Sequence, residues 1–163
     1  MLRLKLIQTN FSEALRKIQM KIYHYTKEAC LEQILKDGFI KVTVFQTPFP
    51  SLVWLTSEPF VPNLCRPQDT TLSPPRFVDV VYRRFIFDSA DTEIKKWTYY
   101  QRTVKGAKET VRNFNKRAKE LKDNPRKWFI SEKALPIREH EKATTDPERN
   151  FLIDGQSINY FAP

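Results

Sequence analysis

Three short runs hold the side chains of this 163-residue chain that could do chemistry. In the first, His24 stands between Tyr23 and Tyr25 and is followed by Thr26. In the second, Trp54, Leu55, Thr56 and Ser57 lead to Glu58. In the third, Trp128, Phe129, Ile130 and Ser131 lead to Glu132. One imidazole, one carboxylate and several aromatic rings can act together without a metal. Two cysteines, Cys30 and Cys65, and two histidines, His24 and His140, make no CxxC pair, four-ligand zinc site or His-rich metal centre. A carboxylate-only magnesium site stays open. Gly38, Gly106 and Gly155 are far apart, so no Gly-rich phosphate loop is present.

Each residue also has an ordinary reading. A histidine in an apolar strand is often a satisfied core residue. Trp54 in such a strand is by default a core aromatic, and Glu132 at a strand end is an ordinary surface carboxylate. Arg83 and Arg84 are adjacent in a strand-like run, and neighbours on a strand point to opposite faces. One of them therefore points inward or toward a ligand, with Asp79 and Glu58 as candidate partners.

The formal charge is +9, from 28 Lys and Arg against 19 Asp and Glu. Residues 93–127 contain 12 of the cations and 4 of the acids, nearly the whole surplus. At about 100° per residue, Lys105, Lys108, Arg112, Lys116 and Lys119 fall within one stripe about 80° wide, beside an apolar face. One reading is a solvated helix face; the other is a surface that follows phosphates. Trp97, Tyr99 and Tyr100 lie just upstream as candidate base-stacking rings. Nucleic acid is the expected partner, single-stranded RNA before DNA. No apolar stretch reaches the roughly 18 residues a membrane-spanning helix needs, and the N-terminus lacks a clean apolar signal segment. The expected location is the cytoplasm, with no membrane partner.

These residues need elements to hold them. Residues 1–19 predict a strand or arm and then a helix capped by Ser12, an appendage to one domain over 20–163. Residues 21–25 predict a strand, and Thr26 an N-cap to a helix over 27–37 that ends at Gly38. Further strands are expected at 39–45, 52–56, 77–87 and 128–132, and a last one at Leu152 and Ile153. Five prolines between 59 and 75 predict a long loop. Val104, Ala107, Val111, Phe114, Ala118 and Leu121 recur at helical spacing, predicting a helix over 103–124. The order of elements predicts an α+β fold.

The runs around His24, Trp54 and Glu132, in that order, resemble the three motifs of the ADP-ribosyltransferase superfamily, in its diphtheria-toxin-like His-Tyr-Glu branch. The resemblance implies a split β-sheet with flanking helices closed around NAD⁺, and a toxin-like mono-ADP-ribosyltransferase that needs no metal. It implies that His24 bonds the adenosine ribose, that Tyr25 and Trp54 are candidates to stack on nicotinamide, that Thr56 or Ser57 bonds a nearby ribose or amide group, and that Thr26 also belongs to the NAD⁺ site. Arg84 would meet an NAD⁺ phosphate. Glu132 would accept from the ribose 2′-hydroxyl and stabilise the cation formed as nicotinamide leaves; Glu139, Glu141 and Asp154 compete for that role. The charge suggests RNA as acceptor, a protein side chain is the alternative, and an antitoxin protein is a possible partner. A domain of the same fold without catalysis, serving as an RNA- or partner-binding module, is the rival from another class.

Overall fold

The computed structural model describes residues 20–44, 49–73 and 75–146. The expected N-terminal helix, the strand at Leu152 and Ile153, and Asp154 lie outside the described residues.

Six strands form one antiparallel sheet in the order β10-β6-β1-β3-β8-β7. They are β1 (Lys21–Lys27), β3 (Val53–Thr56), β6 (Tyr82–Asp88), β7 (Lys95–Lys96), β8 (Trp128–Ser131) and β10 (Glu139–Ala143). Two small pairs flank it: β2 (Phe39–Ile40) with β9 (Leu135–Pro136), and β4 (Gln68–Asp69) with β5 (Arg76–Phe77). The helices are α1 (Leu31–Asp37), α2 (Trp97–Tyr100) and α3 (Lys108–Glu120). The architecture is α+β.

Alternation along the strands makes two cores. Ile22, Val53, Leu55, Phe85, Phe87 and Phe129 face one way, where Leu31 and Ile34 of α1 and the β2–β9 pair cover them. Trp54, Trp128 and Ile130 face the other way, against Trp97 of α2 and Val111, Phe114 and Ala118 of α3. Aromatic rings dominate this second core. Trp54 lies 4.8 Å from Trp97 and 5.0 Å from Phe114 between ring centroids, at the tilted geometries aromatic pairs favour.

Several boundaries differ from the sequence expectation, each for a tertiary reason. Thr26 is no N-cap: β1 runs on through it because Thr26 and Lys27 pair with Arg83 and Tyr82 of β6. The Glu28 amide then donates to the Val81 carbonyl at 2.8 Å, and α1 begins only after a 3-10 turn over Glu28–Cys30. Gly38 ends α1 as expected, at φ 77°, with its N–H on the Ile34 carbonyl. The expected strand over 77–87 is two strands, since Arg76–Phe77 pairs with β4 and Tyr82–Asp88 with β1. The long helix is shorter than 103–124. Gly106 (φ 74°) turns the chain just before it, and Lys122 (φ 61°) turns it just after. β10 was not expected at all; its run Glu139, His140, Glu141, Lys142 is polar throughout, as suits an exposed sheet edge.

Candidate functional site

β1 and β3 pair at a single position, Tyr23 with Thr56, whereas β1 pairs with β6 over all seven of its residues. At this thin join the His24 side chain supplies a bond that the backbone does not. Its Nδ1 lies 2.8 Å from the Trp54 carbonyl. A carbonyl only accepts, so Nδ1 carries the hydrogen, and in the neutral ring Nε2 is left as an acceptor. Burial pushes the His24 pKa down and outweighs the opposing effect of that hydrogen bond, so the ring is neutral at pH 7.

A cleft of about 310 Å³ lies at this join, lined from both strands by Tyr23, His24, Tyr25, Trp54, Leu55 and Thr56. Phe114 of α3 and Trp128 of β8 form one wall, and Pro62, Leu64 and Cys65 of the proline-rich loop form another. That loop is pinned: the Asp123 carboxylate accepts from the Asn63 and Leu64 amides at 2.9 and 2.8 Å. Tyr25 is fixed by its hydroxyl, which donates to the Glu58 carbonyl at 2.8 Å, and burial pushes its pKa up to about 12. Thr56 is buried, with Oγ1 accepting from the Glu58 amide at 3.1 Å. The cleft volume is at the lower end of ligand pockets, roughly 300–1,000 Å³. It suits a nucleoside-sized group more than a whole dinucleotide.

The structure thus brings together His24, Tyr25, Trp54 and Thr56 around one cleft and leaves the other expected residues outside its lining. Thr26 lies in β1 opposite Arg83. Ser57 is bonded to the Lys127 carbonyl, which accepts from its amide at 3.0 Å. Arg83 and Arg84 do point to opposite faces, but neither pairs with Asp79 or with the Glu58 carboxylate. Arg83 grips the Glu28 carboxylate, with Nε at 2.6 Å and a second nitrogen at 2.9 Å. Arg84 binds the Glu141 carboxylate at 2.7 Å and the Pro59 carbonyl at 2.8 Å, and its guanidinium lies 4.4 Å from the Tyr23 ring centroid. It thereby clamps the start of the proline-rich loop onto the sheet.

Glu132 lies just past the end of β8, half-exposed. Lys95 of the edge strand β7 holds one carboxylate oxygen at 2.6 Å, and the Tyr100 hydroxyl donates to the other at 2.9 Å. Lys95 first, then Tyr100, holds its pKa below the usual carboxylate range. No carboxylate lines the cleft among the described residues. Nor do the described residues hold a group of His, Cys, Asp and Glu suited to a metal ion.

The basic stripe lies along the opposite edge of α3 from Phe114. Lys108, Arg112, Lys116 and Lys119 share a shallow groove of about 550 Å³ with Val111 and Asn115. A second recess of about 380 Å³ adjoins it through Asn115 and Lys119 and reaches Thr98, Gln101 and Arg126. Lys105 precedes the helix and does not line the groove. The stripe's acid contacts are loose: Arg112 to Glu109 at 3.7 Å and Lys116 to Glu120 at 3.9 Å, all largely exposed. Of the expected stacking rings, Trp97 is 0% and Tyr100 9% exposed, because both pack in the aromatic core. Tyr99 alone of the three is open, at 67%.

Sequence reasoning missed Tyr23, Phe114, Trp128, Leu64 and Cys65 as cleft residues. Phe114 and Trp128 carry core-like spacing, and the proline-rich loop has no period, so no local signal ties either to His24. No helix among the described residues is long and apolar enough to cross a membrane. Comparison of the chain with protein-family models, with curated proteins and with solved structures finds no match.

Proposed function

We propose that the chain is a mono-ADP-ribosyltransferase that seats part of NAD⁺ in the cleft between β1 and β3 and transfers ADP-ribose to a nucleic acid, with RNA favoured. The observation that carries this reading is the His24 ring. Its Nδ1 is fixed by the Trp54 carbonyl, burial keeps the ring neutral with Nε2 left as an acceptor, and His24 is among the residues that line the aromatic cleft. A ribose hydroxyl is a donor that suits it, and the Tyr25 and Trp54 rings suit a flat base or nicotinamide. In the transfer, the bond between the nicotinamide nitrogen and the ribose C1′ breaks, and nicotinamide leaves with the electron pair. A nucleophilic nitrogen or oxygen of the acceptor bonds C1′ and loses its proton. A fixed carboxylate stabilises the positive charge on the ribose. Glu132 is our candidate, kept ionised by Lys95 and Tyr100. The polyanionic acceptor is inferred from the cationic groove along α3.

Among the described residues no carboxylate lines the cleft, which favours a second reading, a domain that binds a nucleotide and nucleic acid without catalysis. Calorimetric titration with NAD⁺, followed by an assay for released nicotinamide, separates the two. Binding with cleavage supports the enzyme, binding without cleavage supports the module, and no binding removes the cleft from both. Labelled NAD⁺ in a cell lysate, followed by nuclease or protease digestion, then tells which acceptor carries the label.

A further inference from the structure

The recess beside the stripe has a hydrogen-bonding character fixed by one buried tryptophan. The Trp97 indole N–H can only donate, and it reaches Asn115 Oδ1 at 2.9 Å. Asn115 must therefore turn its nitrogen outward, and Nδ2 donates to Gln101 Oε1 at 2.7 Å. That fixes Gln101 in turn. Its Nε2 is left as a donor on a residue that lines the recess, with one long approach to the Thr98 carbonyl at 3.5 Å. Asn124 Oδ1 accepts from the Arg126 amide, which leaves the Asn124 nitrogen as a further donor. Both oxygens of Asp123, the acid in the lining, accept from the Asn63 and Leu64 amides. Gln101 and Asn124 thus offer donors to this recess, and Lys119 and Arg126 put two positive charges in its lining against the one negative charge of Asp123.

A pocket that offers donors and positive charge suits a phosphate oxygen. Thr98 of the lining is followed in the chain by Tyr99, whose ring is exposed, with the Arg102 guanidinium 5.8 Å from its centroid. We propose that the recess between α2 and α3 seats a phosphodiester of a single-stranded nucleic acid whose adjacent base stacks on Tyr99. Lying on that ring requires an unstacked base, which a duplex does not offer. The inference rests on the nucleic-acid half of the proposed function and not on the NAD⁺ half. It also makes the recess an anchor rather than the reacting position, because the breadth of α3, about 10–12 Å, separates it from the His24 cleft.

The test measures binding without NAD⁺, using a fluorescent mixed-sequence RNA strand of about a dozen nucleotides, the same RNA as a blunt duplex, and heparin as a polyanion without bases. Tyr99→Ala is expected to weaken single-strand binding about 5- to 100-fold while heparin binding stays at the wild-type level. Gln101→Glu replaces a donor with an anion and is expected to weaken RNA and heparin alike. If Gln101→Glu lowers the melting temperature, Tyr99→Ala alone decides, since its ring is exposed. Wild-type RNA affinity in Tyr99→Ala, or an equal loss for RNA and heparin, overturns the proposal. So does tighter binding of the duplex than of the single strand. A wild-type protein that binds no RNA overturns both this inference and the nucleic-acid acceptor, whereas failure to bind or cleave NAD⁺ leaves this result untouched.

Discussion

The two edges of α3 face unlike surroundings. On the Phe114 side lies an apolar, aromatic cleft whose lining among the described residues holds one imidazole and no charged group. On the Lys108–Lys119 side lies an open groove of cations and amide donors. One helix serves both because its 3.6-residue period places the two residue classes on opposite flanks of the same apolar stripe. Neither a cation in the cleft nor an aromatic wall in the groove is needed. Among the described residues the aromatic core around Trp54, Trp97 and Phe114 is what lies between the two surfaces.

Trp97 is where the two regions meet, and its loss should have the largest effect. Its ring packs on Trp54 of the cleft, and its N–H orients Asn115 of the recess. Trp97→Ala should cost about 3–5 kcal/mol of stability in denaturant titration, and both binding activities should fall together. A stable variant that lost only one would show that the regions do not share this support.

Charge reversal of the stripe should separate them. Lys108→Glu, Arg112→Glu and Lys116→Glu together leave the apolar face intact. Three lost phosphate contacts should reduce the log–log salt slope of RNA binding by roughly 2–3. Affinity should fall across sequences, because phosphate contacts carry no base information. NAD⁺ titration of the same variant should match the wild type; a changed NAD⁺ affinity would mean that the groove and the cleft are coupled.

Glu132→Gln tests which region the chemistry belongs to. If Glu132 is the catalytic carboxylate, nicotinamide release should drop on the order of 10²-fold with NAD⁺ affinity kept. Unchanged release would move the role to another acid. Of the acids named from the sequence, Glu141 is linked to the cleft residue Tyr23 through Arg84.

The smallest effects concern His24. His24→Ala should weaken NAD⁺ binding about tenfold, the scale of one hydrogen bond to a ligand, without unfolding the domain. A variant that melts much earlier yet keeps its NAD⁺ affinity would mark His24 as a core residue alone. The ring also predicts a pH dependence. Its folded pKa lies below the ordinary 6.5, so below about pH 6.5 the unfolded chain binds a proton that the folded chain refuses. The stability owed to neutral His24 is complete above that pH and declines as the pH falls through it toward the folded pKa. His24→Ala should flatten this part of a melting curve series against pH.

Local chemistry determined more of this protein than its length suggests. The α+β class, the cap at Gly38, the apolar face of α3 and its basic flank can all be read from residue spacing, because helical period and glycine's φ freedom act over a few residues. His24, Tyr25, Trp54 and Thr56 could likewise be named from short runs around them. Tertiary structure alone decided what those runs face. It carried β1 through Thr26, because β6 offered backbone partners that the sequence near Thr26 does not reveal. It took Trp97 and Tyr100 from the surface into the core and left Tyr99 outside. It set Arg84 on Glu141, a residue of a charged edge strand with no hydrophobic signal, and it held Glu132 at Lys95 and Tyr100 instead of in the cleft. Each of these outcomes joins residues dozens of positions apart, and such pairings depend on strand order and register, which the sequence around a single residue does not encode.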